Sequence, residues 1–277
     1  MTNRSGDSKL GDSAIPALSS GAVQSVFFNP VDRALFLRVH HLRPFFHPDN
    51  WRNPFQGFGN AAAYRTLCSA SYLFWQDSTK AAIEEHYSHL KIHPSIVQLA
   101  VGLVAGTCNG LFLNQLQIVK YRMWTEGHGT FVSHSTKMLA DAGWKIFFRG
   151  IGVSIGRDSI FGIVYEVCRM PHVAKEFGSS VQFVFNMVAA VLACIVSSPL
   201  NYCRNVIYGA PPQNCPLPVH KLIRFMVKEA VKQPTWRAKF AHINTRCNIG
   251  WGSMRVGVGM AVGQYCFRFF QQSLDSV

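Results

Sequence analysis

The chain has 277 residues, of which 48% are hydrophobic and 13% aromatic, and its 27 Lys and Arg residues outnumber its 14 Asp and Glu residues. The apolar content excludes an intrinsically disordered protein, and a charged fraction of 15% is well below the value of about 25% that is typical of soluble domains. The net charge of +13 indicates an anionic partner, either nucleic acid or an anionic membrane surface.

The first sixteen residues are polar and contain no apolar run, so we expect an N-terminal tail over 1–16 and no secretory signal peptide. Three long stretches then lack Asp, Glu, Lys and Arg: 19 residues after Asp12, 28 after Lys91 and 27 after Glu176. A hydrocarbon core of about 30 Å needs roughly 20 helical residues, so each stretch can cross a membrane. Buried helices of a soluble protein are the alternative, but ordinary buried helices are shorter.

Three weaker candidate helices alternate with these stretches, at about 58–80, 150–170 and 245–270. Each carries charge near its centre, namely Arg65 in the first, Arg157 and Asp158 in the second, and Arg246 and Arg255 in the third. A charge in lipid costs at least about 2.5 kcal/mol, so these side chains are expected to face the interior of a bundle. The sequence therefore predicts an all-α membrane protein with six transmembrane helices.

An internal repeat links the three uncharged helices. The segments 20–35, 105–120 and 189–204 align without gaps and superpose Pro30, Gln115 and Pro199, at intervals of 85 and 84 residues. Because proline removes a helical hydrogen bond, Pro30 and Pro199 are expected to kink their helices. The repeat divides the chain after its tail into three units, at 17–90, 91–175 and 176–277.

On these residues the chain resembles the mitochondrial carrier family across almost its whole length. The signature of that family is P-x-[DE]-x-x-[KR]-x-[KR] on each odd-numbered helix, followed by an aromatic–basic–Gly turn before the even-numbered helix. The signature residues that remain here are Pro30 and Asp32, then Lys120 and Arg122, then Pro199 and Arg204, and the turn is intact as Phe148-Arg149-Gly150. The resemblance implies the carrier fold, with six transmembrane helices in three pseudo-symmetric repeats.

The resemblance also implies that signature acids and bases of neighbouring repeats pair and close the matrix side of a central cavity. Half of those charges are replaced here. We expect Asp32 to pair with Lys120. Gln117 is expected to hydrogen-bond with Arg204, and Asn201 to have no partner.

The gate expected on the opposite side, an aromatic–acid–x–x–basic pattern on the even-numbered helices, is also incomplete. Counted from Arg157, Tyr165 and Glu166 lie about one helical turn too early. A carrier that alternates access needs two gates of comparable strength, so these losses favour a fold kept as a scaffold. The last helix is expected to pack through small residues, namely Gly250, Gly252, Gly257, Gly259 and Gly263.

The resemblance places the central charges in the substrate cavity. Arg157 and Asp158 form the best candidate, because a guanidinium binds a carboxylate and an acid binds an amine, which suits amino-acid-like substrates. Arg65 is a second candidate contact, and either Arg246 or Arg255 supplies a third. The alternative is that these residues only pair with neighbours or line a polar cavity.

Membrane lipids are the expected partners. Anionic headgroups, cardiolipin by the resemblance, can be held by a helix N-terminus and nearby basic residues, here Arg149 and Gly150. The basic surplus, which includes Arg33 and Arg38, falls at matrix ends and loops. A nucleic-acid partner is not expected, because it would need basic and aromatic residues clustered on a soluble face.

No enzyme activity, cofactor or metal site is expected. The sequence contains no P-loop, no H-E-x-x-H and no G-x-S-x-G motif, and its eight cysteines include no C-x-x-C pair. His86, His89 and His93 could share one helix face, but a solvated loop is favoured over a metal site there.

Our main expectation is an accessory or structural subunit of a larger inner-membrane assembly, such as a respiratory-chain complex, whose other subunits would be its partners. The alternative is a functional mitochondrial solute carrier that exchanges a small anionic or amino-acid-like metabolite by alternating access. Both place the chain in the mitochondrial inner membrane as a multi-pass protein. A working carrier should have a central cavity that exposes Arg65 and Arg157.

Overall fold

The computed structural model describes residues 4–87, 92–126, 129–169, 178–211 and 213–275, and these ranges are mostly helical. The long helices are α1 (Arg4–His41), α3 (Phe58–Tyr87), α4 (Pro94–Phe112) with its continuation α5 (Asn114–Glu126), α7 (Ile151–Cys168), α8 (Gly178–Gly209) and α11 (Trp251–Asp275). The short ones are α2 (Pro48–Trp51), α6 (Phe131–Ala142), a 3-10 helix (Trp144–Phe148), α9 (Val219–Val231) and α10 (Trp236–Cys247). The described ranges contain no strand, which confirms the predicted all-α class.

The long helices form a closed ring of six. Each one packs against the next along the chain, and α11 packs against α1 to close the ring. The short helices all follow the C-terminal ends of α1, α5 and α8, so they lie together at one end, called here the surface-helix end. The opposite end is called the distal end. This arrangement is the ring of six helices that the sequence predicts.

Two described helices, Pro94–Phe112 and Val181–Gly209, are long and apolar enough to cross a membrane by length and composition. The other long helices are more polar. Their central arginines are directed into the ring, since Arg65 of α3, Arg157 of α7 and Arg255 of α11 all line one interior cavity. This inward placement avoids the cost of exposing a charge to lipid.

The closest helix contact joins α4 to α7 through a row of glycines. Gly102, Gly106 and Gly110 recur at helical spacing on one face of α4. A Cβ atom added at any of them would overlap the backbone of α7, near Gly162, Asp158 and Ile155 respectively. The absence of side chains therefore allows the two backbones to approach closely, as is common between membrane helices.

The expected glycine packing of the last helix is found at two positions. Gly257 meets α8 and Gly263 meets Gln24 of α1. Gly250 has open space around it and a φ of 85°, so it shapes the turn before α11 instead. Spacing along one helix does not reveal which small residues face a neighbour, because that depends on the rotation of the helix in the ring.

Pro30 and Pro199 both lie inside unbroken helices, α1 and α8. Pro199 leaves the carbonyl of Ile195 without its usual donor, and the Ser198 hydroxyl donates to that carbonyl at 2.7 Å. The helix of the second repeat is interrupted at Leu113, although this repeat has no proline at the aligned position. The kinks expected at Pro30 and Pro199 stay a prediction.

Asn114 fixes the position of the chain just after this interruption. Its side-chain amide donates to the carbonyl of Phe147 at 2.8 Å, and its oxygen accepts from the Tyr208 hydroxyl at 2.5 Å. These long-range bonds hold the start of α5 against the 3-10 helix and α8. A sequence pattern does not contain this information, because both partners are distant in the chain.

The N-terminal end differs from the expected tail, since α1 begins at Arg4 and runs without a break into the first uncharged stretch. The end of a charged run marks a membrane boundary, but a polar sequence can continue a helix beyond it. The short connection after α1 contains only the four-residue helix α2.

Candidate functional site

A polar cavity runs along the axis of the ring in two parts that share Tyr64, Arg157 and Phe161. The part nearer the surface-helix end, called the basic chamber, has a volume of about 260 Å³. Its basic lining residues are Arg65, Lys120, Arg157, Arg204 and Arg255. The other part, the distal chamber, has a volume of about 220 Å³ and reaches Tyr72 and Gln264.

Asp32 of α1 connects two neighbouring helices through its carboxylate. It pairs with Arg65 of α3 and with Arg255 of α11, whose Nη2 donates to Oδ2 of Asp32 at 2.9 Å. The Arg255 guanidinium also lies over the ring of Phe28, 4.7 Å from its centroid. One carboxylate therefore neutralises only half of the charge of two mostly buried guanidinium groups.

Asp158 of α7 holds a second pair of arginines. Nη1 of Arg157 donates to Oδ1 of Asp158 at 2.5 Å, and Nη1 of Arg204 lies 3.7 Å from the same oxygen. Arg204 also donates through Nη2 to Oδ1 of Asn201 at 2.7 Å. Arg157 and Asp158, the best sequence candidates, are therefore brought into the cavity but already pair with each other.

Lys120 has aromatic neighbours where an acid was expected. Its Nζ lies 4.4 Å from the ring centroid of Tyr64, 5.2 Å from that of Tyr121 and 5.0 Å from that of Trp124. Along the described ranges it forms no ion pair. The ring faces stabilise its charge by cation–π attraction, which leaves the ammonium hydrogens unused.

These contacts correct the predicted gate pairs. Asp32 binds Arg65 and Arg255 and does not pair with Lys120. Arg204 binds Asn201 and Asp158 and does not hydrogen-bond with Gln117. Asn201, expected to have no partner, accepts from Arg204. The reason is that α3 and α11 pack directly against α1, so their arginines reach Asp32 before Lys120 of α5 does.

Aromatic side chains from three long helices close the cavity at the surface-helix end. Phe36 of α1 has its ring centroid 4.8 Å from that of Tyr121 and 5.6 Å from that of Trp124, both on α5. Tyr121 in turn lies 5.4 Å from Tyr208 of α8. All four rings are buried within the largest apolar core of the described residues. Packed aromatic side chains therefore lie at the end of the cavity where the family resemblance predicts a gate of ion pairs.

A hydrogen-bonded layer crosses the distal end. The hydroxyl of Tyr72 donates to Glu166 at 3.0 Å, and Glu166 pairs with Arg169 at 3.7 Å. In the same layer, Gln264 donates to the hydroxyl of Tyr165 at 2.7 Å. The sequence shows Tyr165 and Glu166, but counted from Arg157 they lie about one helical turn earlier than the family pattern expects. Their contacts with Gln264 and Tyr72 are seen only in the structure.

The structure separates the two arginines that the sequence could not choose between. Arg255 lines the basic chamber, whereas Arg246 lies on the short helix α10, over the ring of Tyr202 at 5.9 Å. Arg246 does not line either chamber. The third-repeat candidate in the cavity is therefore Arg255.

The residues expected to face lipid headgroups make bonds within the chain. Arg149 donates through Nη1 to the carbonyl of Pro211 at 2.9 Å. Gly150 adopts a φ of 73° as the N-cap of α7, a conformation that favours glycine. Arg33 and Arg38 are buried, and Arg33 donates to the carbonyl of Arg52 at 2.6 Å. Part of the basic surplus therefore holds loops in place.

The histidine group gives no metal centre in the described part of the chain. His93 caps α4 by accepting from the backbone of Ser95 at 3.3 Å, and His86 lies at the exposed end of α3. His89 lies outside the described residues. No group of three or more His, Cys, Asp or Glu side chains that could hold a metal is found among the residues with described positions.

Comparisons with known proteins give two matches. The family model described as mitochondrial carrier protein matches residues 92–169, which run from the start of α4 to the end of α7. The chain is also 27% identical over 168 residues to peroxisomal adenine nucleotide transporter 1 of Eremothecium gossypii. That match covers 53% of this chain and 48% of the relative, so the chain spans about half the length of the curated relative it matches.

Proposed function

Because this chain belongs to the mitochondrial carrier family, we propose that it is a solute carrier that exchanges a small, multiply charged anion by alternating access. A functional solute carrier is the alternative to an accessory subunit that the sequence allows. The accessory-subunit expectation has no support from the comparisons, whereas a carrier family and a transporter relative both favour a carrier.

The charge of the cavity is the observation that carries this proposal. Among the described residues, the four arginines of the basic chamber contact two acids, Asp32 and Asp158, and Lys120 contacts none. Five positive and two negative charges leave a formal excess of three. Excess charge in a cavity with low-dielectric walls is only partly screened. A substrate with two or more negative charges would complete the balance.

An amino-acid-like substrate is less well matched. Its amine would need a free carboxylate, but Asp158 is shared by Arg157 and Arg204, and Asp32 is shared by two further arginines. Binding an ammonium group would therefore require breaking an existing ion pair. An anion needs no such exchange at Lys120, which forms no ion pair among the described residues.

Adenine nucleotides are the first substrates to test. The relative's name gives that class, and the cavity contains suitable groups for both parts of such a molecule. Tyr64 and Phe161 line both chambers and are aromatic residues that a base would contact there. The basic chamber offers guanidinium and ammonium groups to phosphates.

Two closures of different chemistry would operate the alternating access. We assign the surface-helix end, closed by the Phe36, Tyr121, Trp124 and Tyr208 cluster, to the matrix side, and the distal layer around Glu166 to the opposite side. Substrate binding between them would favour opening of one closure at a time.

We further propose the mitochondrial inner membrane as its location, although the relative is named as peroxisomal. An anionic lipid such as cardiolipin would bind near the N-terminus of α7, where Gly150 begins the helix. Fluorescent tagging of the full chain with mitochondrial and peroxisomal markers tests the location. A peroxisomal signal would contradict the mitochondrial assignment and leave the carrier proposal intact.

Exchange by purified protein in liposomes tests the function. Wild-type protein should exchange external labelled ADP for internal ADP, and Arg157→Gln should lower the exchange rate at least about tenfold, because one charge-assisted contact is lost. Arg224→Gln, an exposed arginine on α9, is the matched control and should exchange normally. Absence of exchange for nucleotides, inorganic phosphate and dicarboxylates, together with isolation in a stable complex, would overturn the proposal in favour of an accessory subunit.

A further inference from the structure

We propose that Lys120, Gln117 and Arg204 form a phosphate-binding subsite at the surface-helix end of the basic chamber. The inference deepens the proposed function and rests on it only for the statement that the bound phosphate belongs to the transported solute. The subsite shares the basic chamber with Arg65 and Arg255, which are bound to Asp32.

Lys120 is the central residue of the subsite. Its side chain is 8% exposed, it lines the basic chamber, and it has ring faces around its Nζ without a carboxylate among the described residues. Ring faces compensate only part of the cost of burying an ammonium group and accept none of its hydrogen bonds. The ammonium group therefore has three donors for an anionic oxygen.

Gln117 provides an independent indication of a ligand. It precedes Lys120 by three residues on α5, so both side chains lie on the same face, and both line the chamber. Gln117 is 1% exposed, and its Nε2 is buried without a hydrogen-bond partner. An unpartnered buried amide costs roughly 1–3 kcal/mol, a cost that an acceptor in the chamber would remove.

Arg204 adds donors from the neighbouring helix α8. Its Nη2 is bound by Asn201 and its Nη1 lies 3.7 Å from a carboxylate oxygen of Asp158, but Nε is buried without a hydrogen-bond partner. Lys120, Gln117 and Arg204 thus bring unpaired donors of three chemical types to one chamber. A phosphate has enough oxygens to accept from all of them, whereas a monocarboxylate has two.

The other basic residues are less available. Arg65 and Arg255 share Asp32, and Arg157 is bound to Asp158 at 2.5 Å. An anion that binds there must compete with a carboxylate already in place. The uncompensated charge of the chamber is therefore concentrated at Lys120, which explains why the substrate's phosphate would bind near the matrix-side closure.

Binding of inorganic pyrophosphate, measured as a shift in the unfolding temperature of the purified full chain, tests the subsite without any transport. Pyrophosphate should stabilise the wild-type protein, and the dissociation constant should rise at least about tenfold in both Lys120→Met and Gln117→Leu, since each removes a donor to a charged acceptor. Lys221→Met, an exposed lysine on α9, is the matched control and should bind like wild type. Two variants are used so that a folding failure in one leaves the other informative.

The outcomes separate this inference from the proposed function. If wild-type protein binds pyrophosphate through Lys120 but exchanges no nucleotide or phosphate, the subsite is supported and the carrier function fails. If wild-type protein exchanges ADP and both variants keep the wild-type KM and pyrophosphate affinity, the function is supported and the subsite is overturned. Pyrophosphate binding that is equally strong in Lys221→Met and in both subsite variants also overturns it.

Discussion

Arg255 and Asp32 are separated by 223 positions in the chain, yet Nη2 of Arg255 donates to Oδ2 of Asp32 at 2.9 Å inside the ring. Arg65 binds the same carboxylate. Asp32 therefore joins α1 to both of its neighbours, and it connects the first and last long helices of the ring. The contact contributes to ring closure and also reduces the number of free positive charges in the basic chamber.

Replacing Asp32 should destabilise the ring. Asp32→Asn would leave two mostly buried guanidinium groups with an uncharged partner, and we expect a loss of about 3 kcal/mol in the free energy of unfolding. Thermal unfolding in detergent measures it as a lower midpoint. The double variant Asp32→Asn/Arg255→Gln should recover part of the loss, because one unpaired charge is removed. Equal stability of Asp32→Asn and wild type would show that the ion pairs contribute nothing.

The glycine row between α4 and α7 should tolerate no added methyl group. In Gly106→Ala the new Cβ would overlap the carbonyl of Asp158, so the helices must separate, at a cost of about 1–3 kcal/mol. Gly152→Ala is the matched control, since nothing lies within 4 Å of a Cβ there and alanine favours a helix. Comparison of the two unfolding midpoints checks the prediction, which would be wrong if both variants shifted equally.

The distal layer should depend on the hydroxyl of Tyr72. Tyr72→Phe removes the donor to Glu166, a carboxylate that is 2% exposed, and should lower stability by about 1–3 kcal/mol. Tyr265→Phe removes a hydroxyl from an exposed tyrosine of α11 and should have no effect. Thermal unfolding of the two variants side by side tests this. A loss as large in Tyr265→Phe would indicate a general effect of removing a hydroxyl group.

Cysteine labelling should report the orientation of the chain. Cys215 is exposed in the connection between α8 and α9, at the surface-helix end. If that end faces the matrix, a membrane-impermeant maleimide should label Cys215 only after the inner membrane is permeabilised. The Cys215→Ser variant identifies the signal as that of Cys215. Labelling of Cys215 in intact mitoplasts would reverse the assigned orientation.

Cys247, a buried cysteine at the surface-helix end, serves as a control for access of the reagent to that end. Cys247 is buried at the end of α10, and burial raises the pKa of its thiol. Because the thiolate is the reactive form, Cys247 should remain unlabelled in the folded protein even after permeabilisation. Labelling of Cys247 at the rate of Cys215 would mean that this end of the protein is open.

Features that depend on the energetic cost of a single segment could be predicted from the sequence. Uncharged runs of helical length and centrally charged helices between them predicted six long helices with Arg65 and Arg157 facing inward, and the repeat of Pro30, Gln115 and Pro199 predicted three units. The long helices and their inward charges follow from the cost of placing a charge in lipid, which is a property of one segment at a time. The division into three units rests on the internal repeat and stays a prediction.

The side-chain partners, by contrast, are visible only once the helices are packed together. In the structure, Asp32 pairs with Arg65 and Arg255, and Lys120 lies among aromatic rings. Arg255 lines the basic chamber and Arg246 does not. Such choices depend on helix rotation and on how far each side chain reaches across the ring, neither of which is encoded in the spacing of a motif. A sequence signature can therefore show that acidic residues are missing from a gate. Only the packing of the helices shows which residues the remaining basic side chains contact.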